Sequence, residues 1–349
     1  MPDPTSPLHL VATGSYSRSG TGRADGVDLL EVSEAGAVRR LSSVELADPS
    51  FLVWHPDGTL VYAVQETDPT RVTALRLDAE AGTLEVAATL TLQGSGGCHI
   101  ALGPDAGSLF VAEYGSGAVE TVALDADGLP TEVIDLDDHR HLADHEEDLG
   151  SPHPHQSVRL PGTDLIAVPD LGLDSVFLYR TLAEGGIDLA GQIPLAGGSG
   201  PRHLAADHES AEIHIACEKN GTIVTATRRE DEADGSLRWA ARSSVRASGS
   251  DGPDAVSHIE LSARENHLLV ANRGPDTLAA FSLGQMRPEL VAEIPVGEHP
   301  RHFTRVGPLT LVAAQEADRI DVLAWDGREF SVPAEPFGSP SVTCIAPRP

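Results

Sequence analysis

The chain has 349 residues and a formal charge of −29, an acid excess that argues against nucleic acid and anionic membrane as partners, since both call for surplus Lys and Arg. Its length exceeds the roughly 250–300 residues at which one ordinary core stops growing, so it is either two domains or a repeat architecture. With 34 Gly, 25 Pro and only 4% aromatics it is turn-rich, and none of its apolar runs nears the ~18 residues of a membrane-spanning helix.

The opening MPDPTSPLHL has neither the basic region nor the apolar run of a signal peptide. Cys98, Cys217 and Cys344 are odd in number, far apart and without CxxC spacing, and read as buried thiols in a reducing compartment. The expected location is the cytoplasm, and the expected state a monomer or weak homo-oligomer.

In chain order, one phrase recurs with a period of roughly 45–50 residues. A short apolar run closing in a turn comes first, as in SFLVWHP (Ser50 to Pro56), CHIALGP (Cys98 to Pro104), HQSVRLP (His155 to Pro161), RHLAADH (Arg202 to His208), SHIELSA (Ser257 to Ala263), RHFTRVG (Arg301 to Gly307) and SVTCIAP (Ser341 to Pro347). Each of the first six leads through a tight turn, such as PDG at Pro56 to Gly58, into a β-rich run and then two more. Four antiparallel strands per unit of this length is the pattern of a propeller blade. The seventh phrase has nothing after it, while the N-terminus opens on a second-type run, Leu8 to Ser15. The C-terminal segment is therefore expected to complete the N-terminal blade and remove an open sheet edge. The prediction is one all-β domain over 1–349, a seven-bladed propeller with blades at 8–46 plus 341–347, 47–93, 94–150, 151–196, 197–249, 250–296 and 297–340. The acidic run Asp135 to Asp148 (DLDDHRHLADHEED) reads as a solvated loop.

Aligned on their turns, the inner strands begin with Ser50, Cys98, His155, Arg202, Ser257, Arg301 and Ser341, followed by Phe51, His99, Gln156, His203, His258, His302 and Val342. The next strand returns to the same rim, and its expected ends are Gln65, Tyr114, Asp170, Glu218, Arg273 and Gln315. One channel mouth should thus carry His155, Arg202, Arg301, Arg273, Asp170 and Glu218 above a ring of His99, His203, His258 and His302. Two readings fit such a mouth: a ligand site on a concave pole, or an ion-pair girdle joining the blades. His153 and His155 share a strand face, and with Asp170 and Asp174 they are the fallback metal ligands. The neighbouring arginines argue against a cation, and no metal or cofactor is expected. GxxxxGK[ST], HExxH and a G-x-S-x-G elbow are absent.

SPHPHQS, VPDLGLDS, GSGPRH, ACEKNG, SHIELS and VANRGPDT in this order resemble the seven-bladed lactonase family, whose best-known members are the cycloisomerase-type 6-phosphogluconolactonases. The resemblance spans nearly the whole chain. It implies metal-free hydrolysis of a sugar-acid lactone, 6-phosphogluconolactone of the pentose phosphate pathway in the first place. Residue by residue it implies catalytic roles for His155, Arg202, Glu218 and Arg273, with Asp170, His203, His258, Arg301 and His302 binding substrate. Two departures stand out: Cys217 occupies the family's usual Asn position before the Glu, and Asp135 to Asp148 is inserted ahead of HPHQ. Either His155 or Glu218 has the chemistry of the base. The alternatives are a related lactonase or cycloisomerase acting on an unphosphorylated lactone, a metal-dependent lactonase of another propeller family, and a non-catalytic propeller binding a ligand or protein.

Overall fold

The structure, a computed structural model, describes residues 8–20, 22–142, 150–183, 185–230, 237–262, 264, 266–284 and 286–349. Its strands form seven antiparallel sheets, each a blade whose inner strand touches the inner strands or adjoining strands of its neighbours around a closed ring. Chain order is spatial order within every blade except the first, where Val342–Pro347 lies inside Leu8–Ser15, Gly26–Ser33 and Val38–Glu45. The expected closure is what the sheet order shows, with Ala12 opposite Ala346 and Thr13 opposite Ile345.

Burial follows position in the blade. Second strands such as Leu60–Gln65 and Leu309–Ala314 are buried along their whole length, because neighbouring blades cover both faces, so they read as unbroken apolar runs. Outer strands such as Thr83–Thr91 alternate towards solvent. The turns are held by their own side chains: Asp57 Oδ1 accepts from Thr59 N and Oγ1, and Gly58 supplies the φ of +68° that the turn requires. Among the described residues no helix is long and apolar enough to cross a membrane.

One irregularity recurs and sets up the pole. The ladder between first and second strands slips between Pro49 and Phe51, Gly97 and His99, Pro201 and His203, Val256 and His258, and Pro300 and His302. The bulged residues are therefore Ser50, Cys98, Arg202, Ser257 and Arg301. In the fourth blade Pro154 pairs with Asp170 and Val158 with Ala167, four residues on one side against three on the other, so the same extra residue falls at His155 to Ser157. A bulge re-aims a side chain out of the pleat, which is how Arg202 and Arg301 leave the sheet.

The bulges also correct the seventh alignment. The slip there lies between Val342 and Cys344, making Thr343 the bulged residue instead of Ser341. Ser341, with φ 48°, sits two residues earlier, like Asp48 (46°) and His299 (58°).

The acidic run is also not simply a loop. Asp135 to Asp138 end the strand Pro130–Asp138; Asp135 accepts from Ile187 N at 2.8 Å and Asp137 from the Tyr179 hydroxyl at 2.7 Å. His139 follows fully buried, and positions 143–149 lie outside the described residues.

Candidate active site

A repeated backbone bond identifies which second-strand ends are equivalent. The N–H of Tyr16 donates to Ser341 O, Glu66 to Asp48, Tyr114 to Gly96, Leu171 to His153, Glu218 to Gly200 and Gln315 to His299, all within 2.8–3.1 Å. In the sixth blade Arg273 takes this place opposite Ala255. The rim is thus Tyr16, Glu66, Tyr114, Leu171, Glu218, Arg273 and Gln315. Gln65 and Asp170 belong one residue earlier, with Glu113, Cys217 and Asn272, and a step of one along a strand turns a side chain to the other face.

Asp170 is accordingly apart from the arginines and fully buried. Its Oδ1 accepts from the N–H groups of His153, Gly172 and Leu173, and its Oδ2 lies 2.8 Å from His139 Nδ1. With those oxygens committed, it anchors the His153 segment beneath the rim. Asp170→Ala is expected to cost about 3–5 kcal/mol of stability, as when one partner of a buried charged network is lost, measured by urea unfolding. Unchanged stability with lost turnover would return Asp170 to the site.

The arginines and Glu218 come together as expected. Glu218 Oε2 lies 3.1 Å from Arg202 Nε and 2.5 Å from Arg273 Nη2. Arg202 also donates through Nη1 to Ser257 O, and Arg273 through Nε to Ala255 O. Burial, then repulsion from Arg273 and Arg301, pulls Arg202 down to about 9, while Glu218 lends it charge. Burial pushes the Glu218 carboxyl up, but Arg273 and Arg202 outweigh it and hold the net value below the ordinary one.

Arg301 stands beside a pair the sequence reading missed. Its Nη2 donates to the Tyr16 hydroxyl at 2.8 Å, which donates to Glu66 Oε2 at 2.7 Å, and the Arg301 guanidinium lies 5.1 Å from the Tyr16 ring centre. Tyr16 escaped notice because its blade is completed by the far end of the chain, and Glu66 because the register was taken one residue early. Their signal is the equivalence of Tyr16, Glu66 and Glu218 in the blade repeat.

His155 lies under this charge, its ring 5.6 Å from Tyr114 and 5.4 Å from His203. Burial first, then Arg202 and Arg301, keeps it neutral well below the ordinary imidazole range. Cys98 Sγ is 3.8 Å from His155 Nδ1, but burial raises its thiol to about 12, which rules out a ready thiolate. His153 Nδ1 is bound to Tyr114 O at 2.7 Å and its Nε2 to Ser151 Oγ at 3.0 Å, while Asp174 accepts from Gly198 N and Gly200 N. The fallback metal set is not assembled.

One layer down, His99, His203, His258 and His302 close a belt with Phe51, neighbouring rings lying 3.9–5.5 Å apart. His203 Nδ1 and His258 Nδ1 share a 2.7 Å bond. The belt forms the floor of the pole and separates it from the opposite channel mouth.

A lone buried arginine is costly, so three of them around two carboxylates, with neutral imidazole below, is an arrangement suited to negative charge that develops on a small ligand. The model of the family described as "Lactonase, 7-bladed beta-propeller" matches residues 10–345. A 6-phosphogluconolactonase of Bacillus subtilis is 24% identical over 294 residues, 83% of each chain. The solved periplasmic gluconolactonase of Pseudomonas aeruginosa is 26% identical with a TM-score of 0.87, covering 98% of this chain and 99% of that one. A Lactobacillus plantarum protein shares the fold at a TM-score of 0.85 and 21% identity, covering 98% and 99%. This chain belongs to the seven-bladed β-propeller lactonases.

Proposed function

We propose that the pole opens a sugar-acid lactone, 6-phosphogluconolactone in the first place, using Glu218 as base and Arg202 and Arg273 as the oxyanion cradle. The observation that carries this is the position of Glu218: its Oε2 meets both arginines, while the side chain stays 27% exposed. Oε1 takes a proton from water as the water oxygen attacks the lactone carbonyl. The charge that develops on the carbonyl oxygen is met by the two guanidiniums. When the ring C–O bond breaks, the proton passes from Glu218 to the leaving oxygen, and the new acid ionises. His155, buried and neutral, supports the substrate from below without adding a charge.

A second reading has its own support. Arg301 is already engaged by Tyr16 and Glu66, and three arginines against Glu218 and Glu66 leave one net positive charge, little for a phosphate dianion. The periplasmic relative named a gluconolactonase fits an unphosphorylated substrate. Acid release from freshly made glucono-1,5-lactone and its 6-phosphate, followed in a pH-stat against the spontaneous rate, decides between them. No acceleration of either would remove both readings. The three free buried cysteines suit a reducing compartment, and we place the protein in the cytoplasm on that basis.

Two outcomes follow for the pH and metal dependence. Glu218 is active when deprotonated and its folded-state value is depressed, so turnover should stay level from neutral pH through the ordinary imidazole range and fall only as pH drops through the depressed carboxyl value. A limb centred near 6.5 would instead assign the base to an ordinary imidazole. Exhaustive EDTA treatment should leave turnover within about twofold, ~0.4 kcal/mol in barrier; loss in a chain that stays folded, restored by a divalent ion, would contradict the arginine-based mechanism.

A further inference from the structure

The inner strands run on past the belt to the opposite mouth of the channel, where a cleft of about 480 Å³ opens between the fifth, sixth and seventh blades. His258 and Glu260 project on one face of the strand Ala255–Leu261, two residues apart, and His302 comes from the next inner strand, Pro300–Val306. One ligand atom from each of the three lies within 4.8 Å of the other two, the one such group among the described residues. Both histidines are buried, and Glu260 is partly covered.

The spacing of His258 and Glu260 suits a shared cation better than a shared proton. His258 Nε2 lies 3.4 Å from Glu260 Oε1. A proton held between an imidazolium and a carboxylate draws the two atoms to ~2.7–2.9 Å. Two ligands of one tetrahedral ion, each at ~2.0–2.1 Å from it, stand ~3.3–3.4 Å apart. The other His258 nitrogen is fixed by the 2.7 Å bond to His203 Nδ1, the kind of outer contact that orients a ligating imidazole. His302 packs in the belt against His258 and Phe51, and Ile345 N approaches its Nδ1 at 3.4 Å, a contact at the outer limit of hydrogen bonding, so Nε2 is the nitrogen it would turn to a cation. Arg305 Nε, 3.9 Å from Glu260 Oε2 and on a partly exposed side chain, is too distant to satisfy the carboxylate by a hydrogen bond.

We propose that His258, Glu260 and His302 form a binding site for a divalent cation of the zinc class, with two imidazoles and a carboxylate as ligands and a fourth position open to the cleft. The site is built on the belt itself, through His258 and His302, with Glu260 further along the inner strand from the pole, and it joins the sixth blade to the seventh, so its role is a clamp on the ring and not a part of lactone opening. No bond to substrate and no redox change is involved.

The test uses the whole chain, stripped with EDTA and titrated with Co²⁺ as a spectroscopic stand-in for Zn²⁺. The expected result is one equivalent bound, with the intense visible d–d bands of a low-coordinate nitrogen–oxygen site, displaced by Zn²⁺, and a raised Tm with either ion. Glu260→Gln and His302→Ala should each weaken binding at least tenfold, whereas Arg305→Ala should not weaken it. The near-isosteric Glu260→Gln keeps the test decisive if His302→Ala does not fold. Failure of the wild-type chain to bind one equivalent, or equal binding by Glu260→Gln, overturns the proposal. Neither result bears on lactonase turnover, which is measured separately.

Discussion

Arg202→Ala, Arg273→Ala and Glu218→Gln should each lower turnover by about 10² or more while the chain still folds, the effect of removing a group that acts mainly in the transition state. Arg202 is 2% exposed, contacts Glu218 through Nε and donates to Ser257 O through Nη1, so it is fixed in two directions before substrate arrives. An ammonium cannot span those two directions, and Arg202→Lys should rescue little. Glu218→Gln keeps the shape but removes the base and leaves both guanidiniums without their counter-charge. Steady-state kinetics with a parallel thermal melt separates the possibilities. If all three variants melt early yet keep full specific activity, the charges are an ion-pair girdle between blades.

Deleting the residues after Gly338 should leave a chain that is largely insoluble or unfolds far below the parent. The segment supplies the strand beside Leu8–Ser15 and buries Val342, Cys344 and Ile345 almost completely. Its Ala346 carbonyl accepts from Trp54 Nε1 at 2.9 Å, tying the first blade to the second. Losing two fully buried branched side chains at ~1.5–3 kcal/mol each, with the ladder bonds at ~1 kcal/mol, removes about 5 kcal/mol or more from a total that is ordinarily ~5–15 kcal/mol. It also exposes the inner edge of Leu8–Ser15 for pairing between molecules. A truncated protein that melts with the parent would show that the first blade does not need its fourth strand.

The ring was legible in the sequence because its signals are local and repeated: apolar runs of strand length, turns such as PDG, and a C-terminal phrase lacking a sequel. Arg202, Arg273 and Glu218 were legible for the same reason, since each keeps a constant distance from a recognisable turn. The bulge was not legible. It adds one residue to the inner strand through backbone pairing, and no residue type marks it: Ser50, Cys98, Arg202 and Arg301 all occupy it. Ending the second strands of two blades one residue early placed Gln65 and Asp170 on the rim where Glu66 and Leu171 stand, and Ser341 was set two residues ahead of the bulged Thr343. Tyr16 needed the closure and the register together. His258 and His302 were read as one belt; the approach of Glu260 to His258 follows from their spacing, but that of His302 depends on how the inner strand of the seventh blade lies beside that of the sixth, which no spacing along the chain reports.

The most direct measurement is a crystal structure of the chain soaked with aldonate, the product of lactone opening. The expected result is the aldonate carboxylate seated at the pole, its oxygens within hydrogen-bond distance of Arg202 and Arg273 and beside Glu218, with the polyol reaching towards Arg301 and Tyr16. Aldonate bound only elsewhere, with the Arg202–Glu218–Arg273 cluster unaltered and closed to it, would contradict the assignment of this pole as the lactone-opening site.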